Sequence, residues 1–119
     1  MAALADLATA LVALLHLTFL VLEMFLWNTP YGRRVFKLTP EYARASKALA
    51  ANQGLYNGFL AAGLIWGLIL GDAGASITIF LLTCVVIAGL YGGMTVNRRI
   101  MLVQSVPAAI ALLLHFSSG

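Results

Sequence analysis

Charged side chains are scarce in this sequence. Only 9% of its 119 residues are Asp, Glu, Lys or Arg, whereas 62% are hydrophobic. The mean hydropathy is +0.98. A soluble domain carries about a quarter charged residues. The shortage excludes an ordinary soluble globule and predicts one integral membrane domain, residues 1–119.

Residues that bind metals or form disulfides are also few. The single cysteine, Cys84, excludes an intrachain disulfide and a Cys-x-x-Cys motif, and its apolar surroundings predict a packed core residue. His16 and His115 lie a hundred residues apart, which is not the spacing of a metal-ligand cluster. No glycine-rich phosphate loop follows a strand, because no strand is expected. We therefore predict neither a metal nor a cofactor.

Long apolar runs are what the chain does contain. A membrane span needs roughly 20 residues. Thr39-Pro40-Glu41, inside the basic segment 28–48, predicts a helix start with Thr39 as N-cap. That helix either lies along the membrane surface or runs directly into the second span. The fold class is all-α, an up-down-up-down four-helix bundle. Its predicted spans cover about residues 4–27, 49–71, 76–94 and 101–116.

Positive charge falls on one side of this predicted bundle. All seven basic residues lie in the segment 28–48 or at Arg98 and Arg99, whereas the opposite side carries Asp6 and Asp72. The positive-inside rule then predicts that the basic segments are cytoplasmic and that both termini are non-cytoplasmic. Because topology explains the basic residues, we predict membrane lipids as partners and no nucleic acid.

Three residues form one predicted stripe of the first span: His16, Glu23 and Trp27. At 100° per residue, Glu23 and Trp27 each fall within about 20° of the direction of His16. Apart from Asp6 at the outer end of the first span, Glu23 is the only acid inside a predicted span, which makes it a functional hypothesis. The alternatives are an anchor paired with an arginine for Glu23, a hydrogen-bonded core residue for His16, and an interfacial aromatic for Trp27.

Polar side chains concentrate in the predicted cytoplasmic half. Four of them crowd the inner end of the second span, between Asn52 and Asn57. A buried amide without a partner costs on the order of 2–7 kcal/mol, so neighbouring helices, water or a ligand must complete its bonds. We predict a polar pocket there. Its ligand-binding residues are Glu23, Trp27, Asn52, Gln53, Tyr56, Asn57, Trp66, Tyr91, Asn97 and Gln104.

One proline and a set of glycines predict how the helices pack. Pro107 in the fourth span predicts a kink, because its ring removes a backbone donor. Glycines four apart in the second span predict faces where a neighbouring backbone comes close. These glycines are Gly54 and Gly58, and then Gly63, Gly67 and Gly71.

Two stretches resemble a known family. The first contains Leu22-Glu23-Met24-Phe25-Leu26-Trp27, followed by Thr29-Pro30 and Gly32-Arg33. The second is Leu49-Ala50-Ala51-Asn52-Gln53-Gly54-Leu55-Tyr56-Asn57-Gly58-Phe59-Leu60-Ala61. Together they resemble the small bacterial membrane proteins classed as domain of unknown function 1304. The resemblance implies a compact four-span protein, here predicted in the bacterial inner membrane, and implies no activity.

Three functions remain open at this stage. The favoured one is a membrane protein that binds or transports a small amphipathic or cationic molecule, with Glu23 taking up a proton or facing the cation. Small multidrug exporters offer an analogy of size and of a key acid in the first span. Four short helices enclose little volume, so this function requires a homodimer. The second is a cofactor-free isomerase or cyclase for a lipid-like substrate, with Glu23 or His16 as acid-base. The third is a structural or assembly subunit.

Overall fold

In the computed structural model, which describes residues 2–118, the chain is helical and that range contains no strand. A 3-10 turn, Gly71–Gly74, precedes the helix that begins at Ala75. A π turn, Met101–Ser105, interrupts the helix that begins at Arg98. The all-α prediction is confirmed for these residues. The helices are α1 (Ala2–Met24), α2 (Pro30–Phe36), α3 (Pro40–Ile69), α4 (Ala75–Thr95) and α5 (Arg98–Ser118).

Among the described residues, three helical stretches are long and apolar enough to cross a membrane: Ala2–Met24, Gly71–Thr95 and Arg98–Ser118. Large apolar side chains on these stretches are exposed, including Phe80 and Leu113. Exposed apolar surface on this scale is typical of a face that meets lipid. The chain is therefore a membrane protein. α3 is not one of these three stretches, because its polar residues lower its hydropathy. The four-span bundle and the sides on which its termini lie therefore stay predictions.

The first predicted span ends early, because α1 stops at Met24 rather than at Trp27. The hydroxyl of Thr29 holds the turn that follows: it donates to the carbonyl of Leu26 (2.6 Å) and accepts from the N–H of Gly32 (3.1 Å). Thr29 thereby caps α2, a helix that the sequence reasoning did not predict within the basic segment. The placement of Trp27 on the helical stripe of the first span is wrong, because the backbone leaves the helix before it.

α3 begins where the sequence predicts. Pro40 is its first residue, and the N–H of Tyr42 donates to Thr39 Oγ1 at 3.1 Å. The helix then continues without a break to Ile69, so of the two alternatives it runs directly into the predicted second span. At 1.5 Å per residue, its 30 residues extend about 45 Å, which exceeds the roughly 30 Å of the hydrocarbon core.

Contacts divide the described chain into two units: a first unit of residues 2–13 and 62–118, and a second unit of residues 14–61. In the second unit, Gly54 and Gly58 of α3 face side chains of α1. A Cβ added to Gly54 would lie 2.8 Å from Met24 Cγ, and one added to Gly58 would lie 2.5 Å from Leu20 Cδ1. The predicted approach of a neighbouring backbone is present at Gly54, where an added Cβ would lie 3.2 Å from the Leu20 carbonyl oxygen. At Gly58 the close neighbour is the Leu20 side chain instead.

Small residues also bring helices together in the first unit. A Cβ added to Gly63 would lie 2.5 Å from Leu81 Cδ1, and Gly67 lies directly against Thr78 Oγ1. Gly71 differs, because a Cβ there would meet nothing within 4 Å and its φ is +63°. This left-handed conformation lets the chain turn after α3. The packing role predicted for Gly71 is therefore wrong.

The helix irregularity predicted at Pro107 is present as the π turn directly before it. The N–H of Val106 bonds to the carbonyl of Met101, five residues back, instead of four. Pro107 has no N–H with which to continue a regular ladder, and π turns are a known cause of helix kinks. Ser105 donates its hydroxyl to the carbonyl of Val86 (2.8 Å), which fixes the turn against α4.

Lys37 offers a test of backbone strain. It ends α2 with φ 56°, in the left-handed region that side chains disfavour by about 1–2 kcal/mol. Because glycine adopts this conformation freely but also gains freedom when unfolded, we expect Lys37→Gly to raise the free energy of unfolding by about 0.5–1 kcal/mol. Denaturant unfolding in detergent measures the change. Lys37→Ala keeps a Cβ and should bring no gain. An equal gain from both variants would point to the lost charge instead.

Candidate functional site

The candidate site in the second unit is a side-chain hydrogen bond that joins α1 to α3. Asn57 donates from Nδ2 to Glu23 Oε1 at 2.5 Å. Asn57 is only 4% exposed, whereas Glu23 is half-buried. Gly54, one turn before Asn57, makes room for the acid, since a Cβ there would lie 3.0 Å from Glu23 Cβ. The amide of Asn57 thus holds one oxygen of the acid, and part of the Glu23 side chain stays accessible.

The other predicted polar residues near Asn57 are exposed. They are Asn52, Gln53 and Tyr56, and the Tyr56 ring packs edge-on against Phe59 at 5.9 Å between centroids. Each residue of a helix turns by 100°, so side chains this close in sequence point in different directions. Four polar residues were predicted at this end of the span. Asn57 contacts Glu23, and the other three lie on exposed positions of α3.

His16 and Trp27 have mainly structural surroundings. His16 is fully buried, and its ring packs edge-on against Phe19 at 5.4 Å. Trp27 donates from Nε1 to Ser46 Oγ at 3.0 Å, and its ring lies 4.8 Å from that of Phe36. Trp27 thus ties the turn after α1 to both α2 and α3.

The remaining predicted ligand-binding residues belong to the first unit. Trp66 and Tyr91 are exposed, and Gln104 is half-buried. Asn97 is exposed as well, and its Oδ1 accepts from the N–H of Arg99 at 2.8 Å, which caps α5. In the described structure, the hydrogen bond between Glu23 and Asn57 is the one side-chain hydrogen bond that joins two of the ten predicted residues. The larger pocket stays a prediction.

The sequence profile of the family described as "Protein of unknown function (DUF1304)" matches residues 10–116. The chain belongs to this family. The uncharacterized protein YpaA of Lactococcus lactis subsp. lactis (strain IL1403) is 35% identical over 108 residues, which cover 89% of this chain and 91% of that protein. No solved structure matches the chain. The resemblance to DUF1304 that the sequence suggests is confirmed.

Both partners of the polar contact lie within the stretches that carry the DUF1304 resemblance. Glu23 belongs to the stretch 22–27 at the end of α1, and Asn57 belongs to the stretch 49–61 of α3. Gly54 lies in the second stretch, between the exposed amides and Asn57. The stretches that indicate the family are therefore also the ones that meet at Glu23.

The DUF1304 chain also has a cavity of about 410 Å³, lined entirely by residues of the first unit and by none of the ten predicted ligand-binding residues. Asp6, Asp72 and His115 line it, from the start of α1, the 3-10 turn and the end of α5. From the sequence, both aspartates serve only to indicate the non-cytoplasmic side of the membrane, so this cavity was not predicted. The available signal was that all three fall on one predicted side of the membrane. No group of three or more His, Cys, Asp or Glu in residues 2–118 is placed to hold a metal ion.

Proposed function

We propose that this chain is a multi-pass, four-span protein of the bacterial inner membrane that binds and transports a small amphipathic cation. The proposed binding group is the Glu23 carboxylate, oriented by Asn57. The observation that carries the proposal is the 2.5 Å hydrogen bond between these side chains, which joins the largely apolar α1 to α3. An acid inside a membrane helix is costly to keep and marks a functional site by default.

The chemistry of Glu23 suits an exchange of a cation for a proton. A carboxylate in apolar surroundings gains from any positive partner, because the low dielectric strengthens their attraction. Either a proton or an organic cation neutralises it, and the two compete for the same oxygens. Asn57 is buried and donates to Oε1, so it fixes the carboxyl without supplying a charge. Competition of this kind makes uptake of the cation proton-linked.

The proposed assembly is a homodimer with both termini on the non-cytoplasmic side. The basic residues of the segment 28–48 and Arg98-Arg99 support that orientation through the positive-inside rule. Asn52, Gln53 and Tyr56 support the dimer, because they are exposed on α3 and polar groups at membrane depth require partners. A second copy of the same face would supply them.

Binding of tetraphenylphosphonium, an amphipathic cation, tests the proposed site. Glu23→Gln keeps an oxygen that accepts from Asn57 and removes the charge. We expect it to weaken binding by about tenfold, equivalent to about 1.4 kcal/mol. The affinity is measured by equilibrium dialysis in mild detergent. Glu41→Gln is the matched control, because Glu41 is an exposed acid in the first turn of α3 and should bind as the wild type does. Equal affinity of Glu23→Gln and wild type would overturn the proposal.

The same variant separates the proposal from its alternatives. In proteoliposomes with an imposed pH gradient, a transporter accumulates the cation and Glu23→Gln does not. An intramembrane isomerase or cyclase would instead retain a lipid-like substrate in native mass spectrometry, while Glu23→Gln blocks its turnover. Glu23 or His16 would be the acid-base group for that alternative. If the protein is a structural subunit, Glu23→Gln would change only its thermal stability.

A further inference from the structure

The cavity of the first unit has the volume of a small-molecule site. Its roughly 410 Å³ falls in the range of about 300–1,000 Å³ that ligand pockets occupy. Ile79 and Phe116 give it apolar wall, whereas Asp6, Asp72 and His115 add polar groups. No lysine or arginine lines it. Among the residues that the structure describes, the lining therefore carries two carboxylates and no basic side chain of lysine or arginine.

Thr78 supplies an independent sign of a ligand. Its side chain lies in the cavity wall and is only 2% exposed. Its hydroxyl lies over Gly67, another residue of the wall, and makes no hydrogen bond to the described residues. The side chain as a whole is buried, but Oγ1 itself is not sealed off, so a molecule in the cavity can reach it. Thr78 is thus available to bond a molecule in the cavity.

The hydrogen bonds around His115 indicate which of its ring nitrogens is an acceptor. Thr9 has one hydroxyl proton, which it donates to the carbonyl of Ala5 at 2.9 Å. The 2.7 Å contact between Thr9 Oγ1 and His115 Nε2 must therefore use the proton of Nε2. In the neutral ring Nδ1 is then an acceptor. His115 joins the two carboxylates and Thr78 Oγ1 as a group able to accept hydrogen bonds in the cavity.

We propose that this cavity binds a small primary ammonium compound with an apolar body. An ammonium has three N–H donors and a positive charge, and the wall offers it carboxylate, imidazole and hydroxyl acceptors. The apolar part would lie against Ile79 and Phe116, and an aromatic ring also attracts a nearby cation. This site shares no residue with the proposed site at Glu23, so it goes beyond the function proposed above.

Phenethylamine, protonated at pH 7, is the probe, and 2-phenylethanol is its neutral analogue. Calorimetric titration of the detergent-solubilised full chain, corrected with empty micelles, measures both. We expect the amine to bind about tenfold more tightly than the alcohol. Asp72→Asn and Thr78→Val should each weaken amine binding by about three- to tenfold, in line with the worth of a charge or of a hydrogen bond to a charged group. Because Asp72 is exposed, its variant tests the site even if Thr78→Val does not fold.

A matched variant makes the test decisive. Glu41→Gln removes an exposed acid outside the cavity and should bind phenethylamine as the wild type does. Glu23→Gln serves to assign the site, because binding in the cavity is the component that Asp72→Asn weakens and that Glu23→Gln retains. The proposal is overturned if Asp72→Asn binds with wild-type affinity, if the alcohol binds as tightly as the amine, or if Glu41→Gln weakens binding as much as Asp72→Asn. Loss in Glu23→Gln alone would assign the amine to Glu23 instead.

Discussion

Replacing Gly32 with alanine is expected to destabilise the protein by about 3 kcal/mol, at the upper end for an overpacked site. Gly32 is buried in the first turns of α2, under the turn that follows α1. A Cβ there would overlap the carbonyl oxygen of Leu26 and would lie 2.7 Å from its carbon and 2.9 Å from the oxygen of Trp27. All three are backbone atoms, so no change of rotamer relieves the clash.

The turn around Gly32 has little freedom to adjust. Thr29 bonds to both Leu26 and Gly32, and the Trp27 side chain is held by Ser46 and Phe36. Moving the Leu26 carbonyl away from an added methyl would break the first of these bonds. The cost of Gly32→Ala therefore includes lost hydrogen bonds as well as steric repulsion.

Gly58→Ala is the matched control for this prediction. Its added Cβ would meet Leu20 Cδ1 at 2.5 Å, which is the far end of a flexible side chain. Alanine is also favoured over glycine inside a helix by about 1 kcal/mol, so we expect a net change within about 1 kcal/mol. Unfolding by SDS of the protein in non-ionic detergent gives both free energies. A loss for Gly32→Ala no larger than that for Gly58→Ala would contradict the backbone clash.

The sequence predicts the helices well where a single physical signal dominates. The apolar run 76–94 becomes α4, Ala75–Thr95, because no charged residue and no proline interrupts it. Thr39-Pro40 predicts the start of α3, because a hydroxyl cap followed by proline leaves few alternatives. Thr29-Pro30 is the same signal and starts α2, although a glycine two residues later is more typical of a turn than of a helix. The glycine is there for close packing rather than to end a helix.

The sequence also contains a signal for which polar residue of α3 lies on the buried face of the helix. Its buried positions include Ala50, Gly54, Asn57 and Ala61, a spacing of three or four that marks one face of a helix. Small side chains on that face could have singled out Asn57 from the neighbouring amides. The cavity of the first unit could not be found in this way, because the ends of helices distant in the sequence form it.

Asn57→Ala carries the other large effect, an expected loss of about 1–3 kcal/mol in the free energy of unfolding. The substitution removes the donor to Glu23 Oε1 and leaves a half-buried carboxyl next to an apolar methyl. Hydrogen bonds between membrane helices are often worth less than this, about 0.6 kcal/mol on average. The higher figure is expected here because the acceptor is an acid and Asn57 is nearly fully buried.

Asn52→Ala is the control for Asn57→Ala, since it removes the same amide from the exposed face of the same helix. It should change the free energy by no more than about 0.5 kcal/mol. Glu23→Gln should also cost less than Asn57→Ala, because glutamine still accepts from Asn57. Equal losses in Asn52→Ala and Asn57→Ala would contradict the role of the hydrogen bond. The predicted order of losses, with Asn57→Ala above Glu23→Gln, holds if Asn57 stabilises the helix pair while the charge of Glu23 serves the ligand. A site built for stability alone would have no need of that charge.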